Sequence, residues 1–487
     1  MSPAHASRQR RWPALVLVVL VIAGLAVAAR RPGHEASGGP PETPVAIVLS
    51  SSAESSAWYC TGQTTAAGQN AVGSLVLTNL SHHAVSGTID GFTETGASAS
   101  TAVVVPAQGV IVTSVPAPES GDWISQAVTL AGGGVAVTES VSGPSGWSEA
   151  PCQSATSSQW YFPSGITTSS DALFLSLFNP TSTPDVVDVA FSTPSGIVHP
   201  INFQGLVIKP DQTLPENVGA FVQNQGMVST TVTTRTGRVV ASELQFVGGH
   251  GSGESIVPGS PRVESQWEIP QSIESAGGAT TIDIYNPGRT TEHVTVSPRI
   301  ASGPLTPFVQ AVGPGSTWEL VTSAETRIPV TAPYDTSIVA TGGPGVVVGR
   351  TVAAASTAGA PQAGLANAVD GLSVATPARQ WLIPAPGSPA TPVTTGVLPV
   401  RLALSNPTNH AVTYRVYVVT PGDRNSIATG RIRAHGVTAI SGATLFKAGL
   451  NPLLVSGDGP LAVSEDVGPS GADGVVTMQG IPLGAAL

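Results

Sequence analysis

The residues that could do chemistry are few and scattered. Nine His are present: His5, His34, His82, His83, His199, His250, His293, His410 and His435. A local zinc site needs H-x-x-x-H, H-E-x-x-H or Cys-x-x-Cys spacing, which sets two donors on one side of a metal. None occurs. His82, His83, His293 and His410 each follow a recurring Asn, in a turn where solvent favours polar residues. An activated Ser needs G-x-S-x-G between strand and helix. The stretch Gly249-His250-Gly251-Ser252-Gly253 has the wrong spacing. Neither Lys209 nor Lys447 has a Ser three residues earlier, so S-x-x-K is absent. Asp335-Thr336-Ser337 lacks the Gly of an aspartic-protease triplet. Gly342-Gly343-Pro344-Gly345 reads as a turn before a strand, not a phosphate loop before a helix. No calcium loop appears, and Asn79-Leu80-Ser81, formally a glycosylation sequon, reads as a turn. The chain is expected to hold no cofactor, no metal and no catalytic residue, and not to be an enzyme.

The informative residues instead recur. Trp58, Trp160, Trp267 and Trp381 open the motifs WYC, WYFP, WEIP and WLIP, at spacings of 102, 107 and 114 residues. Each is followed by an alternating strand ending in Asn: Asn79, Asn179, Asn286 and Asn406. Pro follows three of these, as Pro180, Pro287 and Pro407. Asn can bond the backbone beyond it and Pro fixes φ, so each reads as a turn between two strands. Each copy ends in a Val-rich strand: GVAVTESV, RVVASELQFV, GVVVGRTV and PLAVSEDV. Copy two shows seven or eight short strands from Trp160 to Val247, the number of an immunoglobulin-like sandwich. A propeller blade of four strands takes about 40–50 residues, so each copy is too long for one blade. The Trp residues are expected in the cores. Four copies in tandem are expected to form an elongated rod.

The closing strands share a charge at one place: Glu139, Glu243, Arg350 and Glu465. Side chains alternate along a strand, so Glu139 shares a face with Val135, Val137 and Val141. Arg350 and Glu465 are similarly framed by Val or Leu, whereas in copy two Leu244 and Phe246 fall on the opposite face. A charge on an inward face must be paired or hydrogen-bonded, or its pKa must move. Each is expected to mark the sandwich end and to bond backbone groups there, a structural role.

The order of aromatic start, L-x-L-x-N-P and a Val-rich strand near Ser-Glu resembles an uncharacterised domain-of-unknown-function family. Its members are N-terminally anchored, extracytoplasmic envelope proteins of high-GC Gram-positive bacteria. The resemblance covers roughly residues 50–487 and includes the WYC start and the later Cys152. It implies an envelope location and the sandwich fold, and brings no catalytic residue.

Composition agrees. Gly (55) and Pro (42) break helices, while charged residues are 10% of the chain. Beyond Arg31 there are 15 basic and 30 acidic side chains. No basic cluster is available to neutralise phosphates, so nucleic acid is not an expected partner. Arg8, Arg10 and Arg11 precede an uncharged apolar run from Trp12 to Ala29, 18 residues long and just enough for a membrane helix with the basic side cytoplasmic. Ala26-Val27-Ala28 offers the alternative of a cleaved signal peptide, which would release the protein. Either way the bulk is exported, and its only two Cys, Cys60 and Cys152, are expected to form a disulfide.

The expected organisation is an all-β chain of four diverged immunoglobulin-like repeats after one N-terminal transmembrane helix. A basic cytoplasmic tail (1–11), the anchor or signal (12–29) and a spacer (30–55) precede the repeats at 56–155, 156–258, 259–372 and 373–487. The expected function is a non-catalytic, membrane-anchored envelope protein with an adhesive, scaffolding or assembly role and an envelope protein or glycan as partner. An accessory subunit of a membrane-bound glycan or polymer enzyme is the first alternative, and a wall-glycan hydrolase the second.

Overall fold

The structure is a computed structural model of the 487-residue chain. It describes residues 46–65, 70–114, 118, 120–143, 146–248, 253–271, 279–329, 333–353, 366–368, 378–385, 401–440, 442–445, 451–467 and 476–484. The basic tail, the apolar run and the Gly249–Ser252 stretch lie outside the described residues. Among those described, no helix is long and apolar enough to cross a membrane. Residues Pro44–Leu487 form one compact unit.

The chain is β-rich, and one strand plan recurs four times. In copy two the Trp strand, Gln159–Phe162, pairs with Ser229–Thr236, which pairs with Asp185–Thr193. Two short strands, Gly196–Val198 and Leu206–Ile208, share the far edge of this Trp sheet. The second sheet is built on the Asn strand, Ala172–Asn179, between a rim strand, Gln212–Asn217, and the closing strand, Val240–Val247. An inner strand, Gly253–Pro258, pairs with the closing strand.

Copy one repeats the plan with Ser56–Thr64, Trp123–Leu130, Val85–Thr93 and Ser98–Val105 in the Trp sheet. Val110–Ser114, Val72–Asn79, Val135–Gly143 and Gly146–Pro151 form its Asn sheet. Copy three uses Gln266–Gln271, Tyr334–Thr341 and Glu292–Ile300, then Ser316–Val321, Ala279–Asn286, Val347–Ala353 and Ala366–Ala368. In copy four one long strand, Leu453–Val467, serves both sheets.

Alternation explains the cores. In copy two Leu173, Leu175 and Leu177 point inward with Trp160, Phe162, Val187, Val189 and Val232, and all are buried. Each such side chain contributes roughly 1.5–3 kcal/mol by leaving water. The alternate residues of the Asn strand, Phe174, Ser176 and Phe178, face copy one instead.

That outward face makes a ring, not the expected rod. The Trp sheet of each copy packs on the Asn sheet of the next. Phe92 of copy one stacks on Phe178 of copy two at 5.5 Å. Thr231 of copy two bonds Tyr285 of copy three at 2.9 Å. Ser464 of copy four donates to Pro270 O of copy three at 2.6 Å. Leu382, Val419 and Leu454 of copy four share one apolar cluster with Leu75 and Ala136 of copy one. The inner strands follow suit: Gly146–Pro151 packs on Gly253–Pro258, that on Ala366–Ala368, that on Val476–Gln479, and that on Gly146–Pro151. A head-to-tail interface gives a ring when its rotation closes and a filament when it does not. Here four copies complete the turn.

The seam uses the chain ends. Between copies one and two the connection pairs Gln153 with Tyr59, then Ser157 with Val239. Between copies four and one the same route is taken by two segments. Ile481–Pro482 pairs with Trp381 and Leu382, and Val48 lies parallel to Leu483. Val48 N donates to Pro482 O at 3.1 Å, and Gly134 N of copy one donates to Leu49 O at 2.9 Å. The end of the stretch read as spacer is therefore bound into the ring.

Candidate functional site: the junctions between copies

The recurring residues are internal fittings. Trp58, Trp160, Trp267 and Trp381 are all buried. Three indoles donate to the start of their closing strand: Trp160 to Val239 O, Trp267 to Val346 O and Trp381 to Leu461 O, at 2.9, 3.0 and 2.9 Å. The Trp58 Nε1 has no partner among the described residues. The four Asn are fully buried. Each accepts from the backbone N–H two residues on, through Ser81, Thr181, Gly288 and Thr408. Each also donates across the sandwich, to Val105, Ile208, Val312 and Ile432. One Asn thus pins both its own turn and a strand 26 or 29 residues later.

Cys60 and Cys152 form a disulfide across 92 residues of chain. It ties the Trp strand of copy one to the segment entering copy two, where Gln153 donates to Ala241 O at 2.7 Å.

The charge row occupies one place in the plan. Glu139 lies between Leu75 and Ala150, Glu243 between Leu175 and Val257, Arg350 between Ile282 and Ala368, and Glu465 between Leu402 and Met478. All four are buried. Their partners differ from the backbone contacts expected. Among the described residues only Arg350 bonds a backbone group, Pro270 O at 3.2 Å, and it also reaches Asp466 of copy four at 3.4 Å. Glu139 accepts from the Gln63 side chain at 2.8 Å, and one oxygen of Glu243 has no partner among the described residues. The carboxyls respond by moving their pKa. Burial pushes Glu139, Glu243 and Glu465 up to about 8, with the Gln63 bond partly opposing it for Glu139. In copy two, Leu244 and Phe246, opposite Glu243 in facing, pack into the junction with copy one.

Sequence reasoning missed the junction hubs. Ser125, Ser229 and Asp335 each stand three residues before the strand partner of their copy's Trp. Ser125 bonds Thr61, which bonds Ser176 of copy two, both at 2.7 Å. Ser229 donates to Pro163 O and meets Thr317 of copy three, both at 2.6 Å. Asp335 accepts from Arg299 in a bidentate pair at 3.0 and 2.8 Å, and from Ser405 of copy four. Arg299 also pairs with Glu268, and its Nη1 lies 3.5 Å from His435 of copy four. Burial raises the pKa of both Glu268 and Asp335, and Arg299 opposes the rise. Ser in two copies and Asp in the third leave no constant letter to find. Close approach is also required: a Cβ on Gly349 of copy three would lie 2.6 Å from Pro163 of copy two.

Among the described residues no group of His, Cys, Asp or Glu is arranged to hold a metal.

These features define a β-rich repeat protein whose buried polar groups join copy to copy. Residues 125–341 match a family of unknown function, DUF5719. The match begins and ends in corresponding strands of copies one and three, so it encloses two junctions and is out of phase with the Trp-led copies. A solved structure titled "Crystal structure of tetra-tandem repeat in extending region of large adhesion protein" aligns over 89% of this chain and 100% of that one, at 13% identity and a TM-score of 0.11. No curated protein matches.

Proposed function

We propose that the protein is a non-catalytic, membrane-anchored scaffold of the cell envelope, with its immunoglobulin-like copies outside the membrane. The observation that supports this reading best is the use made of buried polar chemistry. The hydroxyl hubs, the Arg299 cluster and the latch Asn residues all bond other parts of the ring, which is the work of architecture. The disulfide fits an oxidising compartment. A closed ring offers loops and rim strands as a rigid platform for an envelope protein or glycan. Residues 30–45 join the apolar run to the seam, and sixteen residues reach at most about 55 Å when extended.

Two measurements test the reading. Protease added to cells stripped of their wall should digest the β-rich region; full protection would place it inside. Full chain purified in detergent and incubated with wall polymer should release no soluble product, and release would make it a hydrolase.

A further inference from the structure

Three of the four junctions carry a polar hub, and the seam between copies four and one does not. Ser125, Ser229 and Asp335 each stand three residues before the strand partner of their copy's Trp. In copy four the partner of Trp381 is Val455, so the hub position falls on Pro452, which is buried. A Pro side chain has nothing to donate or accept. The facing strand of copy one matches it. Leu75 and Leu77 point into that copy's core, so Val76 and Thr78 point outward. Both are buried. Thr78 stands opposite Ala136, which clusters with Leu382, Val419 and Leu454 of copy four. The Thr78 hydroxyl has no hydrogen bond among the described residues. The seam thus strands a polar group where the other junctions bond one, and a stranded group costs stability.

The seam also lacks a continuous connector. Between copies one and two the chain pairs Gln153 with Tyr59 and Ser157 with Val239. Between copies two and three it pairs Ser260 with Tyr161 and Glu264 with Val346. A covalent connector keeps neighbouring copies at high effective concentration when their faces part. At the seam the same route is divided between two segments far apart in sequence. Three hydrogen bonds stand in for the peptide link: Val48 N to Pro482 O, Gly484 N to Val48 O and Gly134 N to Leu49 O, at 3.1, 2.9 and 2.9 Å.

We propose that the seam is the opening joint of the ring, with residues 46–50 as its clasp. Copies four and one part there while the other three junctions stay closed. Local opening takes place where the fewest ties must break, and here neither a hub nor a covalent link has to give way. Residues 30–45 lead from the clasp to the apolar run, so a pull along that segment loads the clasp first. Parting exposes Leu382, Val419 and Leu454 on one side and Val76, Thr78 and Ala136 on the other.

Thiol trapping in the full chain, held in detergent micelles under native conditions, is the test. A buried Cys reacts only when opening exposes it, and Cys60 and Cys152 are already joined. Thr78→Cys places a thiol at the seam. Ser176→Cys and Ser405→Cys place one at the junctions of copies one and two and of copies three and four. All three positions are buried. A small maleimide should modify Thr78→Cys faster than either of the others by about 10-fold or more. Both comparison variants replace a hydroxyl that bonds at its junction, which biases the result against the proposal. Val76→Cys gives the same readout if Thr78→Cys does not fold. Adding Val48→Pro removes the amide bonded to Pro482, and it should quicken labelling at Thr78→Cys and leave Ser176→Cys unchanged. Equal rates at the three positions overturn the proposal, whether all are slow or all fast. So does a Thr78→Cys rate that Val48→Pro leaves unchanged.

Discussion

The junction between copies one and two and the junction between copies three and four share a geometry and differ in chemistry. At the first, the hub Ser125 joins Thr61 and Ser176, and aromatic rings surround them: Phe92 on Phe178, Trp123 near Phe174 and Phe174 against Phe246. At the second, the hub is Asp335, held by Ser405 and by Arg299, which also pairs with Glu268. A hydroxyl both donates and accepts, so a ring of hydroxyls can satisfy itself. A carboxylate only accepts, so Asp335 needs a cation from its own sheet and a donor from the next copy. Either chemistry at the hub thus serves to join one copy to the next, provided the hub is satisfied.

Breaking the covalent tie beside the first junction should have the largest effect. Replacing Cys60 and Cys152 together by Ala should lower stability by about 4 kcal/mol, from the loop the disulfide closes. Urea unfolding with and without reductant reads this directly, and equal midpoints would count against it. At the second junction Arg299→Ala should cost about 3 kcal/mol or more, because two buried carboxyls lose their cation. Adding Glu268→Gln and Asp335→Asn to an Arg299→Met variant should recover most of that loss, since a neutral cluster carries no stranded charge. Failure to recover would mean that the ionic cluster itself sets the junction.

The next effect reverses the apparent contrast. The ionic junction has its carboxyls paired, whereas the neutral one carries a carboxyl with no hydrogen bond among the described residues. Glu254 of copy two lies beside Gly143 of copy one, neither of its oxygens has a hydrogen bond among the described residues, and burial pushes it up to about 9. With Glu139, Glu243 and Glu465 at about 8, the folded protein binds more protons than the unfolded chain between about pH 4.5 and 9. These raised pKa values contribute stability that is complete below about 4.5 and is lost as pH rises through 8 to 9. The melting temperature should fall by several degrees from pH 5 to pH 9. Glu254→Gln should raise it at pH 9 and leave it nearly unchanged at pH 5. A flat profile would show that water reaches these groups.

What was legible in the sequence is what each copy must do for itself. Every sandwich needs a large side chain at the start of its first strand and a latch at its first turn, so Trp and Asn recur and the repeat can be read. The two Cys could be paired because only two exist. The ring was not legible because it is built from the outward residues of the Asn strands. These are Phe174 and Phe178 in copy two, Asp283 and Tyr285 in copy three, and Ala403 and Ser405 in copy four. They share no letter, since each needs only to match the face it meets. The seam was hidden for a related reason. Residues 46–50 look like spacer because their pairing partner, Leu483, lies at the other end of the chain. The charge row was visible as a pattern, but Gln63, which satisfies Glu139, comes from a strand 76 residues away.

The smallest expected effect isolates the hub itself. Thr61→Val removes the hydroxyl between Ser125 and Ser176 while keeping the shape of the side chain. Two buried hydroxyls then lose a partner, and one neutral hydrogen bond is worth about 1 kcal/mol net. Loss of about 1–2 kcal/mol is expected for Thr61→Val alone. Adding Ser125→Ala and Ser176→Ala removes the stranded groups as well, so the triple variant should regain part of the loss. Replacing both ends of a buried hydrogen bond by apolar groups of similar shape is nearly neutral. The parallel change at the other junction, Ser405→Ala, removes only one of the donors to Asp335, and Arg299 still holds that carboxylate through two bonds. It should cost less than Thr61→Val. Urea midpoints for the two single variants decide the order. If Ser405→Ala proved the costlier, the hydroxyl from the next copy would be the essential contact, and the hub residue would set the docking after all.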